Sequence, residues 1–306
     1  MRTAILTTLA LIAFAANSVL CRLALGRAAI DAASFSTVRL VSGAIVLLLL
    51  TLLFNRRRAA DRSDTGAADR PGAPDARAPA RGRGDWASAS MLFLYAVGFS
   101  FAYVSLSTGT GALILFGAVQ TTMILAALRS GERPDALEWI GLILALAGLV
   151  YLVFPGLSAP SPTGSALMAI AGIAWGIYSL RGRGSVDPLG GTTGNFVRAV
   201  PMVIVVSLVM LGRLHISFGG ASLAILSGGI ASGVGYVIWY AALRGMTATR
   251  AATVQLSVPV IAAGGGIVFM SEDVSLRLVM AGVLILGGVG MAVAASARPL
   301  RARPQH

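Results

Sequence analysis

Apolar residues run through this chain in stretches of about twenty, separated by short polar, glycine-bearing or proline-bearing breaks, with no apolar-polar alternation of period two. At 1.5 Å of rise per residue, ~20 residues cross a hydrocarbon layer ~30 Å thick. The pattern predicts spans near 4–24, 33–54, 88–107, 110–128, 137–154, 164–181, 191–211, 219–243, 249–270 and 277–296. Two of the boundaries come from dividing longer runs. Residues 86–128 carry no charge and as one helix would reach about 64 Å, so the chain must turn near Gly109-Thr110-Gly111. Residues 139–180 are also uncharged, and Pro155, Pro160 and Pro162 mark that break. In lipid only helices and closed barrels satisfy the backbone, and the missing alternation removes the barrel. The expected fold is an all-α integral membrane protein of ten transmembrane helices.

Composition agrees, since 56% of the 306 residues are apolar, 12% are charged and mean hydropathy is +0.82. The net charge of +12 is no nucleic-acid footprint, because eight of the 24 basic residues, all arginine, lie between Arg56 and Arg83. With the N-terminus inside and ten spans, 18 arginines fall on inside segments and 4 outside, which places both termini in the cytoplasm of an inner-membrane protein. Residues 55–85, rich in Arg, Asp, Ala, Pro and Gly, have little to bury and are expected to form a disordered cytoplasmic loop that marks topology. Met1-Arg2 and Ala13-Phe14-Ala15 imitate a cleaved secretory signal, but the run continues to Cys21, long enough to span. The lone Cys21 rules out an internal disulfide and a two-cysteine metal site.

The chain contains a repeat. Residues 10–31 align without gaps to 166–187, matching at Ala10/Ala166, Leu11/Leu167, Ala13/Ala169, Ala15/Ala171, Gly26/Gly182, Arg27/Arg183 and Asp31/Asp187. An arginine inside the following span (Arg39, Arg198), a Tyr-x-x-Leu (Tyr103 to Leu106, Tyr240 to Leu243) and a late glutamate (Glu132, Glu272) recur in order. Five spans per copy make the second copy enter the membrane in the opposite sense, the inverted-repeat plan of many secondary carriers. The expected units are 1–154 and 164–297, followed by a cytoplasmic tail over 298–306.

These features resemble the drug/metabolite transporter superfamily, and specifically its EamA-type members with two five-helix repeats. The resemblance rests on Asn17-Ser18 in the first span, Arg39 and Arg198, and the glycine-rich eighth span ending in Tyr236-Val-Ile-Trp-Tyr-Ala-Ala-Leu243. It rests also on the last pair of spans, with Ala251-Ala252, Pro259, Glu272 and the run from Gly282 to Gly290. It covers the chain except 55–85. The first copy departs from the pattern with Val119 where Pro259 falls in the second, and the first span lacks the tryptophan often seen beside its small-polar motif. The resemblance implies export of amino acids or other metabolites without saying which.

Candidate chemistry sits inside the spans. Arg39 and Arg198 lie about 10 Å of helix from an interface, and burying an arginine costs at least ~2.5 kcal/mol on the insertion scale. Each therefore lines a watery site or locks the scaffold by snorkelling and carbonyl contacts, and both readings stand. Ser100, Tyr103 and Ser107 share a helix face, as do Ser232, Tyr236 and Tyr240, while Trp175 is close to Tyr178 and Ser179. Gln120 and Gln255 are embedded amides that lipid would leave unsatisfied. Such groups either join helices or touch substrate. The expected substrate-binding set is Asn17, Arg39, Tyr103, Gln120, Trp175, Tyr178, Arg198, Tyr236, Tyr240 and Gln255.

All twelve acids lie in loops or within about a turn of a span end, and neither histidine is embedded. A carrier of cations, or a proton-coupled pump, would keep an intramembrane carboxylate or histidine. The expectation is a secondary transporter, exporter or exchanger, of a neutral, zwitterionic or anionic metabolite such as an amino acid, moved by alternating access. Its partners are that solute and the bilayer, with a homodimer left open, no nucleic acid, no metal and no cofactor. A channel or an accessory membrane subunit is the first rival. An integral-membrane enzyme is the second, and it lacks a His-rich box, an Asp-rich motif and a phosphate loop.

Overall fold

The computed structural model describes residues 2–26, 28–64, 84–106, 108–131, 135–153, 161–270 and 276–296. Pro155, Pro160, Ser107, Glu132, Glu272, the tail over 298–306 and most of the expected loop 55–85 lie outside these. The described residues form helices α1 (Arg2–Gly26), α2 (Ala32–Asp64), α3 (Trp86–Ala102), α4 (Thr108–Arg129), α5 (Ala136–Val153), α6 (Pro162–Gly182) and α7 (Pro188–Val209). After them come α8 (Phe218–Leu226), a π-helical segment (Ser227–Val234) and α9 (Gly235–Leu243), then α10 (Ala248–Gln255), α11 (Val258–Met270) and α12 (Leu276–Ser296). The β-type contact among them is one antiparallel bridge between Ile30 and Ile216. Among the described residues, five stretches are long and apolar enough to cross a membrane: Arg2–Gly26, Ala32–Arg56, Pro162–Gly182, Pro188–Val209 and Phe218–Leu243.

Local chemistry sets the helix ends. Asp85, Ser161, Asp187, Ser217 and Thr247 cap α3, α6, α7, α8 and α10, each side chain accepting a backbone N–H of the first turn. Asp31 caps α2 from Ala33 and Ser34 at 3.0 and 2.9 Å. Three helices depart from the sequence expectation. The helix of α2 runs on to Asp64, into the expected loop, because Asn55 to Ala60 is rich in the strong helix formers Arg and Ala. At the other extreme α3 stops at Ala102, with Tyr103 as its C-cap donating to the Phe99 carbonyl, short of the expected span end at 107. The ninth stretch is interrupted at Leu256-Ser257, where Pro259 lacks an N–H and crowds the preceding turn, whereas α4, with Val119 at that place, is unbroken.

The distribution of side chains is that of a protein in lipid. Leu48, Leu49, Leu52 and Leu53 of α2 and Val205, Leu208 and Val209 of α7 face outward. Ser36, Ser100, Thr192, Gln120 and Gln255 are buried. Between helices in hydrocarbon there is little hydrophobic drive, so small residues that allow close approach decide the packing. Gly172 and Gly176 of α6 lie against Leu115, Ala118 and Thr122 of α4. The main helix contacts join α2 to α7, α5 to α12, α3 to α6, α4 to α6, and α1 to α9 and α11.

One end of the bundle is strapped shut. Besides the Ile30–Ile216 bridge, the Asp31 N–H donates to the His215 carbonyl at 2.9 Å and the Ser217 N–H to the Ala29 carbonyl at 2.9 Å. The His215 N–H donates to Asp31 Oδ2 at 2.7 Å. Partial burial pushes the Asp31 carboxyl up, but the Ser34 side chain and the N–H groups of His215, Ser34 and Ala33 outweigh it and hold it below the ordinary carboxylate range. The stabilisation from a lowered acid is present above the unfolded value of ~4 and is lost as pH falls through the lower folded value. Asp31→Ala is therefore expected to cost about 1–2 kcal/mol at pH 7, the worth of a lost cap. The deficit relative to wild type should shrink as pH falls below the unfolded value of ~4 and through the lower folded value. Thermal melts of the detergent-solubilised pair across that range check it.

Candidate functional site

An arginine inside the bundle organises the candidate site. Arg39 is 1% exposed. Its Nε donates to Ser232 Oγ at 3.0 Å, and its Nη2 donates to the Tyr236 hydroxyl at 2.8 Å and the Tyr95 hydroxyl at 3.3 Å. The guanidinium carbon stands 5.2 Å from the Tyr95 ring centre and 5.7 Å from that of Phe99, within cation-π range. Four elements thus converge: α2 supplies Arg39, α3 supplies Tyr95 and Phe99, the π-helical segment supplies Ser232, and α9 supplies Tyr236. A π-helical stretch disturbs regular helix packing and recurs at functional sites.

Around this centre is an aromatic shell. Trp175 packs on Tyr236, Tyr95 and Phe14 with ring centres 4.7, 4.9 and 5.2 Å apart. Its indole N–H donates to Gln255 Oε1 at 2.7 Å, and Gln255 Nε2 donates to the Ala251 carbonyl at 3.2 Å. A cavity of about 30 Å³ lies among Phe14, Ser18, Tyr95, Phe99, Trp175 and Gln255.

The expected site residues divide into groups. Arg39, Tyr236, Trp175 and Gln255 belong to the cluster itself. Tyr178 packs on Trp175 with ring centres 5.8 Å apart, and its carbonyl accepts the Tyr240 hydroxyl at 2.9 Å, so these two continue the aromatic column. Tyr103 joins through an edge contact with Phe99 at 4.7 Å. Asn17 and Gln120 are buried helix joiners: Asn17 accepts from the Ser227 hydroxyl, and Gln120 donates to the Ala252 carbonyl. Arg198 stands apart, half-buried, donating to the Gly194 carbonyl at 2.9 Å and lying 5.9 Å from the exposed Trp86 ring. Absent from the expected set are Tyr95, Phe99 and Phe14. The signal for Tyr95 and Phe99 was their spacing with Tyr103, one residue per helical turn on one face; Phe14, alone in an apolar run of α1, had none.

The aromatic column leads to a polar cleft of about 340 Å³ at the end opposite the strap, lined in part by Gly84, Asp85, Ser88, Arg181, Val186 and Asn195. Arg181 donates to Asp85 Oδ1 and to Ser88 Oγ, each at 2.9 Å, and the Asp85 N–H donates to Asn195 Oδ1 at 3.0 Å. Burial pushes the Asp85 carboxyl up, and the Ser88 hydrogen bonds with the Arg181 charge outweigh it and keep it low. The pair is about half exposed, so it positions α3 on α6 more than it stabilises. Thr3 of α1 lies against Gly245 at this same end.

Comparison with known proteins bears on what such a site serves. Residues 162–294 match the model of the EamA-like transporter family. An uncharacterized protein of Pseudomonas aeruginosa is 47% identical over 293 residues, covering 96% of this chain and 95% of the relative. The chain belongs to the EamA-like transporter family. This EamA protein is a multi-pass membrane protein and a membrane transporter. It is similar to an uncharacterized transporter of Archaeoglobus fulgidus, 25% identical over 185 residues, covering 56% of this chain and 62% of that protein. The uncharacterized inner membrane transporter YedA of Escherichia coli is 28% identical over 118 residues, 39% of this chain and 37% of that protein. A protein crystal structure at 17% identity superposes with a TM-score of 0.70, covering 94% of this chain and 98% of that one, which speaks for the fold alone.

Proposed function

We propose that this EamA protein is a secondary carrier of the inner membrane, an exporter or exchanger that moves a small neutral, zwitterionic or anionic metabolite, such as an amino acid, by alternating access. Ten spans form two inverted copies, 1–154 and 164–297, with both termini cytoplasmic. The solute sits at Arg39, Trp175, Tyr236 and Gln255, with Tyr178 and Tyr240 along its path.

The observation that carries this reading is the unequal closure of two corresponding ends. The gapless alignment sets Ile30 against Val186 and Asp31 against Asp187, and both aspartates cap the helix that follows. Counting back from the caps Ser217 and Asp85 sets Ile216 against Gly84. One end has the Ile30–Ile216 bridge; the corresponding pair, Val186 and Gly84, lines the open cleft. Because α1 begins beside the cleft, cytoplasmic termini make this an inward-facing state. Exchange of the two arrangements would expose the site to the other side. The helix contacts support the inverted pairing: exchanging the copies maps α2·α7 and α5·α12 onto themselves and α3·α6 onto α9·α1.

Counterflow in liposomes tests it, after a thermal-shift screen of metabolites supplies the solute. Preloading with unlabelled solute should accelerate tracer uptake severalfold. Uptake indifferent to preload would make the protein a pore and end the carrier reading.

A further inference from the structure

Arg39 carries a full positive charge among partners that are all neutral. A guanidinium has five N–H groups, and the bonds to Ser232, Tyr95 and Tyr236 use Nε and Nη2. Nη1 is buried with no acceptor among the described residues, and the described ion pair of the chain, Arg181 with Asp85, is elsewhere. A buried charge without a counter-charge is costly. Water would satisfy two hydrogens but would not neutralise the ion. The other embedded arginine is not in this position, because Arg198 is held by its own helix and reaches Trp86.

We propose that Nη1 of Arg39 recognises a single carboxylate on the transported solute, so that monocarboxylates, zwitterionic amino acids included, are substrates and the corresponding carboxamides, which lack the anionic group, are not. This deepens the carrier reading above and rests on it. Charge count selects the class: one guanidinium without a second cation in the described cluster neutralises a monoanion and leaves a dianionic phosphate ester in excess. Tyr95 and Phe99, which flank the guanidinium, also wall the cavity beside Phe14 and Trp175, so the body of the solute meets aromatic faces. Gln255 shapes that wall, since Trp175 and Ala251 already occupy its amide.

The test uses the purified full chain in detergent and matched probes at pH 7: acetate and acetamide, 4-methylpentanoate and its amide, L-leucine and L-leucinamide. At least one acid should raise the melting temperature with an apparent affinity tenfold or more above its amide, the difference a charged hydrogen bond makes. Arg39→Gln should erase the preference and Arg39→Lys should keep part of it; the wild-type comparison stands even if both variants fold poorly. Equal shifts by acids and amides, no shift by any acid, or a larger shift by a dianionic phosphate monoester overturns the proposal. Counterflow of the amides by wild type, unimpaired in Arg39→Gln, would remove the carboxylate assignment and leave the carrier standing.

Discussion

A disulfide between Ile30→Cys and Ile216→Cys, in a Cys21→Ala background, is expected to stop transport, with full recovery on reduction. The two residues already form an antiparallel bridge, where Cα atoms lie about 4.5–5.5 Å apart, inside the range a disulfide needs. Cys21 is the single native cysteine and is buried in α1, so its removal leaves the engineered pair without competitors. If the strap must open for the solute to leave on that side, the oxidised protein keeps its open cleft and can still bind, yet it cannot complete a cycle. The measurements are counterflow and ligand-induced thermal shift on the same oxidised sample. Loss of counterflow by tenfold or more with binding retained is the expected pair. Undiminished counterflow through an oxidised strap would mean that this end is not a gate.

Among the described glycines, Gly228→Ala should be among the most damaging added methyls. The added Cβ would overlap the backbone carbonyl of Arg39 and the hydroxyl of Ser42, and a carbonyl in a packed helix has nowhere to move. Overpacking of this kind costs about 1–3 kcal/mol or more, and here the displaced backbone is that of Arg39 itself. Both the melting temperature and any ligand response should fall together. Gly219→Ala is the matched control: nothing lies within 4 Å of its Cβ position, and in α8 alanine is favoured over glycine by up to about 1 kcal/mol. Equal behaviour of the two variants would show that α2 and the π-helical segment are not held at close approach.

What the sequence disclosed follows from the physics that writes it. Apolar length and charge-free runs are local properties, so the helices over Arg2–Gly26 and Pro162–Gly182 were legible, whereas the break ahead of Pro259 lay inside one expected span over 249–270. Arg39 stood out because a charge in an apolar run is conspicuous. Of its partners, Ser232 and Tyr236 were visible as a polar face but not as partners of Arg39, and Tyr95 was missed, since it lies far along the chain and nothing local ties it to the arginine. The early end of α3 at Ala102 was hidden because apolar residues continue past it. The recurrence of Arg39 as Arg198 was misleading in detail. Counted from the caps Asp31 and Asp187, the position matching Arg39 is Asn195, a buried residue at the cleft, and Arg198 lies about one turn further on.

The wide turns over Ser227–Val234 have a geometric result for everything after them. Each residue added to a helical turn rotates the following side chains by about 100° relative to an uninterrupted α-helix. The tyrosines of α9 therefore owe their azimuth to slack in the preceding turns. Tightening one of those turns would swing Tyr236 off the guanidinium without breaking any helix, which makes backbone winding, and not only rigid tilting, a means of emptying the pocket.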